Sequence, residues 1–141
     1  EKARELGADI CIDFEKEEPV KRVLELTNGV GADEVMECSG AADSPMKACQ
    51  MVKKTGSVAI IATYHNEMVP IPANTVNFNE IKLVGSKANP NVSEQVMHFF
   101  ATGAIQGDKL ITHTFPLKEY EKAVDIFEHK KDGAIKVVIH P

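Results

Sequence analysis

The stretch Asp33–Gly40, with the sequence DEVMECSG, most constrains how this chain can fold. It is typical of a short buried strand that ends in a tight turn of small residues immediately before a helix. In an open parallel sheet, ligands bind beyond the carboxyl ends of the strands. We therefore expect Cys38, Ser39 and Gly40 to form part of the floor of a binding crevice. On spacing alone, the stretch also fits a plain connection in any α/β domain.

Strand and helix patterns alternate around this stretch. Further strands are predicted at Asp9–Phe14, where apolar residues alternate with polar ones, and at Ser57–Ala62 and Ile81–Gly85. Helical patterns lie between most of these strands. Such alternation predicts an α/β fold with a doubly wound parallel sheet.

The helices between these strands have recognisable ends. Pro19 follows two glutamates, an arrangement that is typical of a first helical turn. Ser44 and Pro45 predict the start of a second helix, which should continue to Lys54. Residues 64–79 contain two prolines and several asparagines and predict a long irregular segment.

The pattern changes after residue 90. Residues 91–94 resemble a capping box, which predicts a helix to about Thr102 with Phe99 and Phe100 facing inward. Lys118–Lys131 carries the apolar spacing of an amphipathic helix, in the order Tyr120, Ala123, Val124 and Phe127. A final strand is predicted around residues 135–139, so we divide the chain into residues 1–90 and 91–141.

Composition excludes several classes of function. The chain of 141 residues has a formal net charge of −5, and its lysines and arginines are dispersed, which argues against a nucleic-acid partner. It contains no apolar run of the roughly 18 residues that a membrane span requires. Its three cysteines show no metal or disulfide spacing, which favours thiols in a reducing compartment and a cytoplasmic protein.

Groups that could perform catalysis are sparse. The five histidines are dispersed without metal-ligand spacing, and no glycine-rich phosphate loop occurs. Glu37 stands at a strand end, where a carboxylate can be functional but more often bonds neighbouring backbone N–H groups. Cys38 and Cys49 are expected to be small core residues. We therefore assign no catalytic residue and no metal ligand.

The order of several short motifs resembles the medium-chain, zinc-type alcohol dehydrogenase family, and most closely its polyol and threonine dehydrogenase branch. These motifs span the whole chain: ARELGAD from Ala3, GADEVMECSG from Gly31, GSV from Gly56, LVGS from Leu83, LITH from Leu110 and IKVV from Ile135.

This resemblance implies a fold that is only part of the family's fold. Members carry a metal-binding and substrate-binding domain first and then a Rossmann domain that opens with a glycine-rich loop. The chain would begin inside that Rossmann domain, with its first strands missing, and residues 91–141 would return to the catalytic domain. It would lack the zinc ligands, the pyrophosphate-binding glycines and the ribose-binding carboxylate, so we expect the isolated chain to be inactive.

The resemblance also implies which residues face a cofactor, NAD or NADP. Ser39 and Gly40 match the turn near the adenosine ribose. The strand ends that hold the nicotinamide carboxamide are matched by Ile61, Ala62 and Thr63, where the family often has glycine in place of Ala62, and by Val84, Gly85 and Ser86. Lys136 matches a basic position that reaches the cofactor phosphates, although a solvated strand lysine is the alternative.

The implied function is that of a longer parent, which would interconvert a secondary alcohol or polyol and a carbonyl compound, with zinc in a preceding domain. Two alternatives remain open: a free-standing nucleotide-binding or protein-interaction module, and a zinc-free relative of quinone reductases. The family also pairs its last strands across a two-fold axis, which implies a homo-oligomer through Ile81–Ser86. The strand at Asp9–Phe14 would close against Asp33–Cys38 or pair with a second chain.

Overall fold

The computed structural model describes residues 1–65, 68–87 and 91–141. These residues form two compact units, residues 1–88 and 89–141. The elements of the first unit, in chain order, are α1 (Lys2–Glu5), α2 (Pro19–Leu26), β1 (Ala32–Glu37), α3 (Ser44–Met51), β2 (Val52–Ile60), α4 (Ala73–Phe78) and β3 (Lys82–Gly85). This order confirms the α/β fold class that was predicted.

The first unit contains a three-stranded parallel sheet in the order β1-β2-β3. Val35, Val58 and Leu83 are register partners and form one row across the sheet, on the face that packs against the buried side of α3. The next row consists of Met36, Ala59 and Val84, and it lies on the opposite face because successive strand residues point to opposite sides. Helix α3 therefore covers only one of the two faces.

The core of this unit forms where α3 meets the sheet. Its buried members are Ala48, Cys49, Val52, Val58 and Ile81. Val58 is fully buried, so it occupies the centre of the core. Cys49 is buried as predicted, whereas Cys38 is exposed, because it follows the last residue of β1 and lies in the loop at the sheet edge.

The strand predicted at Asp9–Phe14 does not form. These residues pair with no strand in the part of the chain that the structure describes, and Ile10 and Phe14 are 52% and 76% exposed. The carbonyl of Asp13 instead accepts hydrogen bonds from Lys16 N and Glu17 N and starts a turn. Alternating apolar and polar residues give a segment one apolar face that a sheet could bury, but a strand also needs a hydrogen-bonded neighbour. The predicted pairing with Asp33–Cys38 is therefore not seen, and pairing with a second chain stays a prediction.

Helix α3 ends three residues earlier than predicted. Its last residue is Met51, and Val52 already pairs with Ala32 of β1. The segment that follows bulges out of register, with Thr55 at φ 63° and its amide donating to the carbonyl of Asn79. Burial of Val52 and this pairing override the helical tendency of Lys53 and Lys54.

The predicted irregular segment at residues 64–79 contains helix α4. Pro72 precedes its first residue and Asn79 follows its last. Val76, on α4, packs against the core of the first unit. The asparagines and prolines favour turns, so the sequence did not predict this helix, which the packing of the partly buried Val76 supports.

The second unit is a separate small α/β arrangement. Its elements are α5 (Ser93–Ala101), β4 (Ile111–Pro116), α6 (Tyr120–Glu128) and β5 (Lys136–His140), with short 3-10 turns at Gly107–Leu110, Leu117–Glu119 and Lys131–Gly133. Strands β4 and β5 pair in parallel. Helix α6 packs on them and forms a core with four buried residues, Phe115, Ala123, Ile126 and Ala134.

Several apolar side chains of the second unit differ from the predicted pattern. Phe100 was expected inside but is 46% exposed. On α6, the buried positions are Ala123 and Ile126, whereas Tyr120 and Phe127 are largely exposed. The buried stripe is thus rotated relative to the predicted one, because Ile126 packs under the strands. No helix within residues 1–65, 68–87 or 91–141 is long and apolar enough to cross a membrane.

Candidate functional site

Three loops meet at the carboxyl edge of the three-stranded sheet. They follow Glu37, Ile60 and Gly85, the last residues of β1, β2 and β3. The carbonyl of Glu37 accepts hydrogen bonds from Ile61 N at 2.9 Å and Ala62 N at 3.1 Å, and the carbonyl of Ile60 accepts one from Ser86 N at 2.9 Å. The sheet pairing therefore continues past the ends of β2 and β3 and places the loops side by side.

This edge contains eight of the nine residues that were predicted to face a cofactor. They are Ser39, Gly40, Ile61, Ala62, Thr63, Val84, Gly85 and Ser86. The structure brings them together in space, since they belong to adjacent strand ends. Whether they contact a cofactor stays a prediction.

The carboxylate of Glu37 organises the loop after β1. Its Oε1 accepts hydrogen bonds from Ser39 N and Ser39 Oγ, both at 2.7 Å, and from Gly40 N at 3.2 Å. Its Oε2 accepts one from the hydroxyl of Tyr64, in the loop after β2. Glu37 is only 4% exposed, so its carboxylate has lost most of its contact with water, and these donors take the place of the lost water molecules.

The hydrogen bonds determine the charge of Glu37. Burial raises the pKa of this carboxyl, but the hydrogen bonds from Tyr64 and Ser39 outweigh burial and lower the pKa from 4.5 to about 2. Burial and the neighbouring Glu37 carboxylate raise the pKa of Tyr64. At neutral pH the site therefore holds an ionised carboxylate and a protonated phenol that donates to it.

Gly40 allows the first two loops to approach closely. Its φ of 72° lies in the left-handed region, and a Cβ at this position would lie 2.9 Å from the carbonyl oxygen of Thr63. Any other residue would be strained there and would push the two loops apart. The close approach of Gly40 and Thr63 thus depends on the glycine.

The edge also presents apolar surface. Ile61 is 44% exposed and Val84 is 53% exposed. A Cβ on Gly85 would meet no atom within 4 Å, so the space beside β3 is open. Exposed apolar side chains beside small residues and backbone groups fit a flat, partly polar ring such as nicotinamide.

Lys136, the ninth predicted residue, lies in the second unit. It is the first residue of β5, its side chain is exposed, and its carbonyl accepts a hydrogen bond from Thr112 Oγ1 at 3.2 Å. It therefore stands at the amino end of its strand, unlike the other eight. Its contact with cofactor phosphates stays a prediction.

Sequence reasoning missed the part played by Tyr64. Tyr64 was assigned to an irregular segment, and nothing in its local pattern pointed to Glu37, 27 residues earlier. The backbone hydrogen bonds predicted for Glu37, by contrast, are confirmed. The one signal in the sequence that could have pointed to Tyr64 is its position, shortly after a strand end and next to residues already predicted to form a site.

Metal ligands are not gathered in the described part of the chain. Within residues 1–65, 68–87 and 91–141, no group of three or more His, Cys, Asp or Glu side chains could hold a metal ion. The donor set present there does not fit a zinc site, so we derive no chemistry from zinc at these residues.

A second concave surface lies away from the edge. A groove of about 500 Å³ is lined by residues of α2, α3 and α4, including Leu24, Met46 and Gln50. None of the nine predicted residues lines it. The candidate site is therefore separate from this groove and lies at the junction of three strand ends.

Comparison with known proteins gives consistent matches. Residues 1–102 match the family described as zinc-binding dehydrogenase. The chain is 34% identical over 138 residues to D-arabitol-phosphate dehydrogenase of Enterococcus avium, which covers 97% of this chain and 39% of that protein. It is 30% identical over 141 residues to sorbitol dehydrogenase of Halalkalibacterium halodurans, covering 99% and 40%.

Solved structures agree with these sequence matches. The alcohol dehydrogenase TADH from Thermus sp. ATN1 superposes with a TM-score of 0.87 at 31% identity, covering 96% of this chain and 39% of that one. A protein from Sinorhizobium meliloti 1021, solved with NADP bound, gives a TM-score of 0.86 at 29% identity, covering 99% and 41%. The chain thus spans about two fifths of the length of the relatives that it matches.

Proposed function

Because the chain belongs to the zinc-binding dehydrogenase family, we propose that it supplies the nicotinamide-binding edge of an NAD(P)-dependent alcohol or polyol dehydrogenase. The observation that carries this proposal is the meeting of three loops at the carboxyl edge of a parallel sheet. In open α/β sheets this is where ligands bind. A secondary alcohol or polyol is the substrate class of the longer protein, which the names of the sorbitol and D-arabitol-phosphate dehydrogenase relatives support.

Each loop has its own task in this proposal. Ser39 and Gly40 lie against the adenosine ribose, and the backbones of residues 61–63 and 84–86 bind the nicotinamide carboxamide. The ring of NAD(P) accepts or donates the hydride when it is bound. Ile61 and Val84 offer exposed apolar surface that would cover one side of the ring and exclude water.

Zinc in the longer protein is part of the same proposal. The family description and the matched dehydrogenases support it. The described residues of this chain would not be its ligands, because they contain no suitable cluster. Their contribution is to bind and orient the cofactor.

The proposal can be tested on the chain itself by amide NMR. We expect NADH to bind weakly, with a dissociation constant on the order of 1 mM, because no glycine-rich loop is present to receive the pyrophosphate. Added NADH should shift the amides of residues 39–40, 61–63 and 84–86 and leave those of α2 unchanged. An absence of shifts at this edge, or shifts concentrated at the amino ends of the strands, would contradict the proposal.

Two matched variants sharpen this experiment. Val84→Glu places a negative charge at the edge, whereas Val30→Glu makes the same change in the exposed loop before β1. We expect Val84→Glu to abolish the NADH-induced shifts, because binding would bury its carboxylate against the nicotinamide ring, and Val30→Glu to preserve them. Equal losses in both variants would show that the shifts do not report binding at the edge.

A further inference from the structure

Glu37 connects two loops that are distant in sequence. Its Oε1 accepts the three bonds from Ser39 and Gly40, and its Oε2 accepts the bond from Tyr64. Its backbone carbonyl additionally accepts from Ile61 N and Ala62 N. A single residue therefore holds both the turn after β1 and the loop after β2.

These bonds require the ionised carboxylate. All the groups that bond to the Glu37 side chain are N–H or O–H donors. An ionised carboxylate, which only accepts, therefore satisfies all of them. Among the described residues, Glu37 is the one polar or charged side chain that is buried. If Glu37 were protonated, all of these donors would face a neutral group, and hydrogen bonds to neutral acceptors are weaker than those to a carboxylate.

We propose that Glu37 is a positioning residue for the cofactor, which fixes the adenosine-ribose turn at Ser39 and Gly40 through Oε1 and the nicotinamide loop at Ile61–Thr63 through Oε2 and Tyr64. This inference rests on the proposed function above. Glu37 does not touch the cofactor itself but acts through the two loops. The two carboxylate oxygens act on different loops. The adenosine half of the cofactor depends on the bonds to Oε1, and the nicotinamide half depends on the bond to Oε2.

This division predicts a selective effect of Tyr64→Phe. The variant removes only the donor to Oε2 and leaves the bonds from Ser39 and Gly40 in place. We expect it to weaken the NMR-detected binding of nicotinamide mononucleotide by about tenfold. Binding of AMP, which tests the other turn, should change by less than about twofold. A merely structural role would weaken both probes together.

Glu37→Gln tests the shared anchor. Glutamine keeps the size of the side chain, but it presents an NH₂ group to the donor of one loop and only a neutral carbonyl oxygen, a weaker acceptor, to the donor of the other. We expect both nicotinamide mononucleotide and AMP to lose about tenfold in affinity. Glu34→Gln, an exposed change on the same strand, is the control and should leave both affinities unaltered. Unfolding curves recorded in parallel ensure that each variant is folded; if Glu37→Gln does not fold, Tyr64→Phe decides alone.

The outcomes separate the two proposals. Wild-type shifts at the edge, with the selective loss in Tyr64→Phe, support both. Wild-type shifts that persist unchanged in folded Tyr64→Phe and Glu37→Gln overturn the positioning role and leave the proposed function intact. If the wild-type chain shows no shifts at this edge with any probe, the proposed function fails and the positioning role fails with it.

Discussion

Gly40 illustrates how one residue controls the separation of two loops. Its φ of 72° and the 2.9 Å from its hypothetical Cβ to the carbonyl oxygen of Thr63 impose two separate requirements for glycine. The first is conformational and the second is steric. Gly29, in the turn after α2, has a similar φ of 82° but open space around its Cβ position. The two glycines therefore share one requirement and differ in the other.

Alanine substitutions at these glycines should separate the two costs. We expect Gly29→Ala to destabilise the first unit by about 1–2 kcal/mol, the cost of a left-handed conformation for an L-residue. Gly40→Ala should cost at least about 1 kcal/mol more, because its Cβ would overlap Thr63. Urea unfolding followed by circular dichroism measures both values. Equal losses of stability in the two variants would refute the close approach.

At the scale of elements, the sheet is anchored on one face. Val58 is fully buried beneath α3, whereas Val84, on the opposite face of the same sheet, is 53% exposed. Both are strand valines, so they have the same intrinsic β propensity. Any difference between them on truncation reports packing and not secondary-structure preference.

Truncation of these two valines should reveal the difference. We expect Val58→Ala to lower the free energy of unfolding by about 2 kcal/mol, through lost transfer energy and an unfilled cavity. Val84→Ala should cost less than about 1 kcal/mol, since most of that side chain already contacts water. Chemical denaturation of each variant gives the values. A loss at Val84 as large as that at Val58 would mean that another part of the protein covers the open face.

At the scale of the whole molecule, the sheet has two unpaired edges. Among the described strands, β1 and β3 each pair on one side only, with β2. Unpaired strand edges are templates for pairing with another chain. The edge at residues 81–86 also stands next to the open face that carries Met36 and Val84, which are 68% and 53% exposed.

We expect the chain to form at least a dimer through residues 81–86. Light scattering coupled to gel filtration should show a mass above that of one chain at micromolar concentration. Hydrogen–deuterium exchange at high and low protein concentration should show amides of residues 81–86 that lose protection on dilution, because their second hydrogen-bonding side becomes exposed. The amides in the middle of β2, which has partners on both sides, serve as the control. A strict monomer with no dependence on concentration would contradict this pairing.

The amino-acid sequence by itself determined the alternation of elements and most of their ends. Pro19 and the turn around Ser39 and Gly40 were located correctly, because proline, glycine and the period of apolar residues act locally. The strands at β1 and β3 were predicted within about two residues for the same reason. The eight cofactor-edge residues were named from the family resemblance, and the structure places them at adjacent strand ends.

Tertiary structure decided what local patterns could not express. Residues 9–14 have the spacing of a strand but no described neighbour to pair with, and helix α3 ends early because Val52 is needed in the core. The bond between Glu37 and Tyr64 joins residues 27 positions apart and exists because parallel strands bring their carboxyl ends to one edge. Pairing, burial and hydrogen bonding between distant residues depend on the folded chain, so the sequence provides the groups and the fold determines which of them meet.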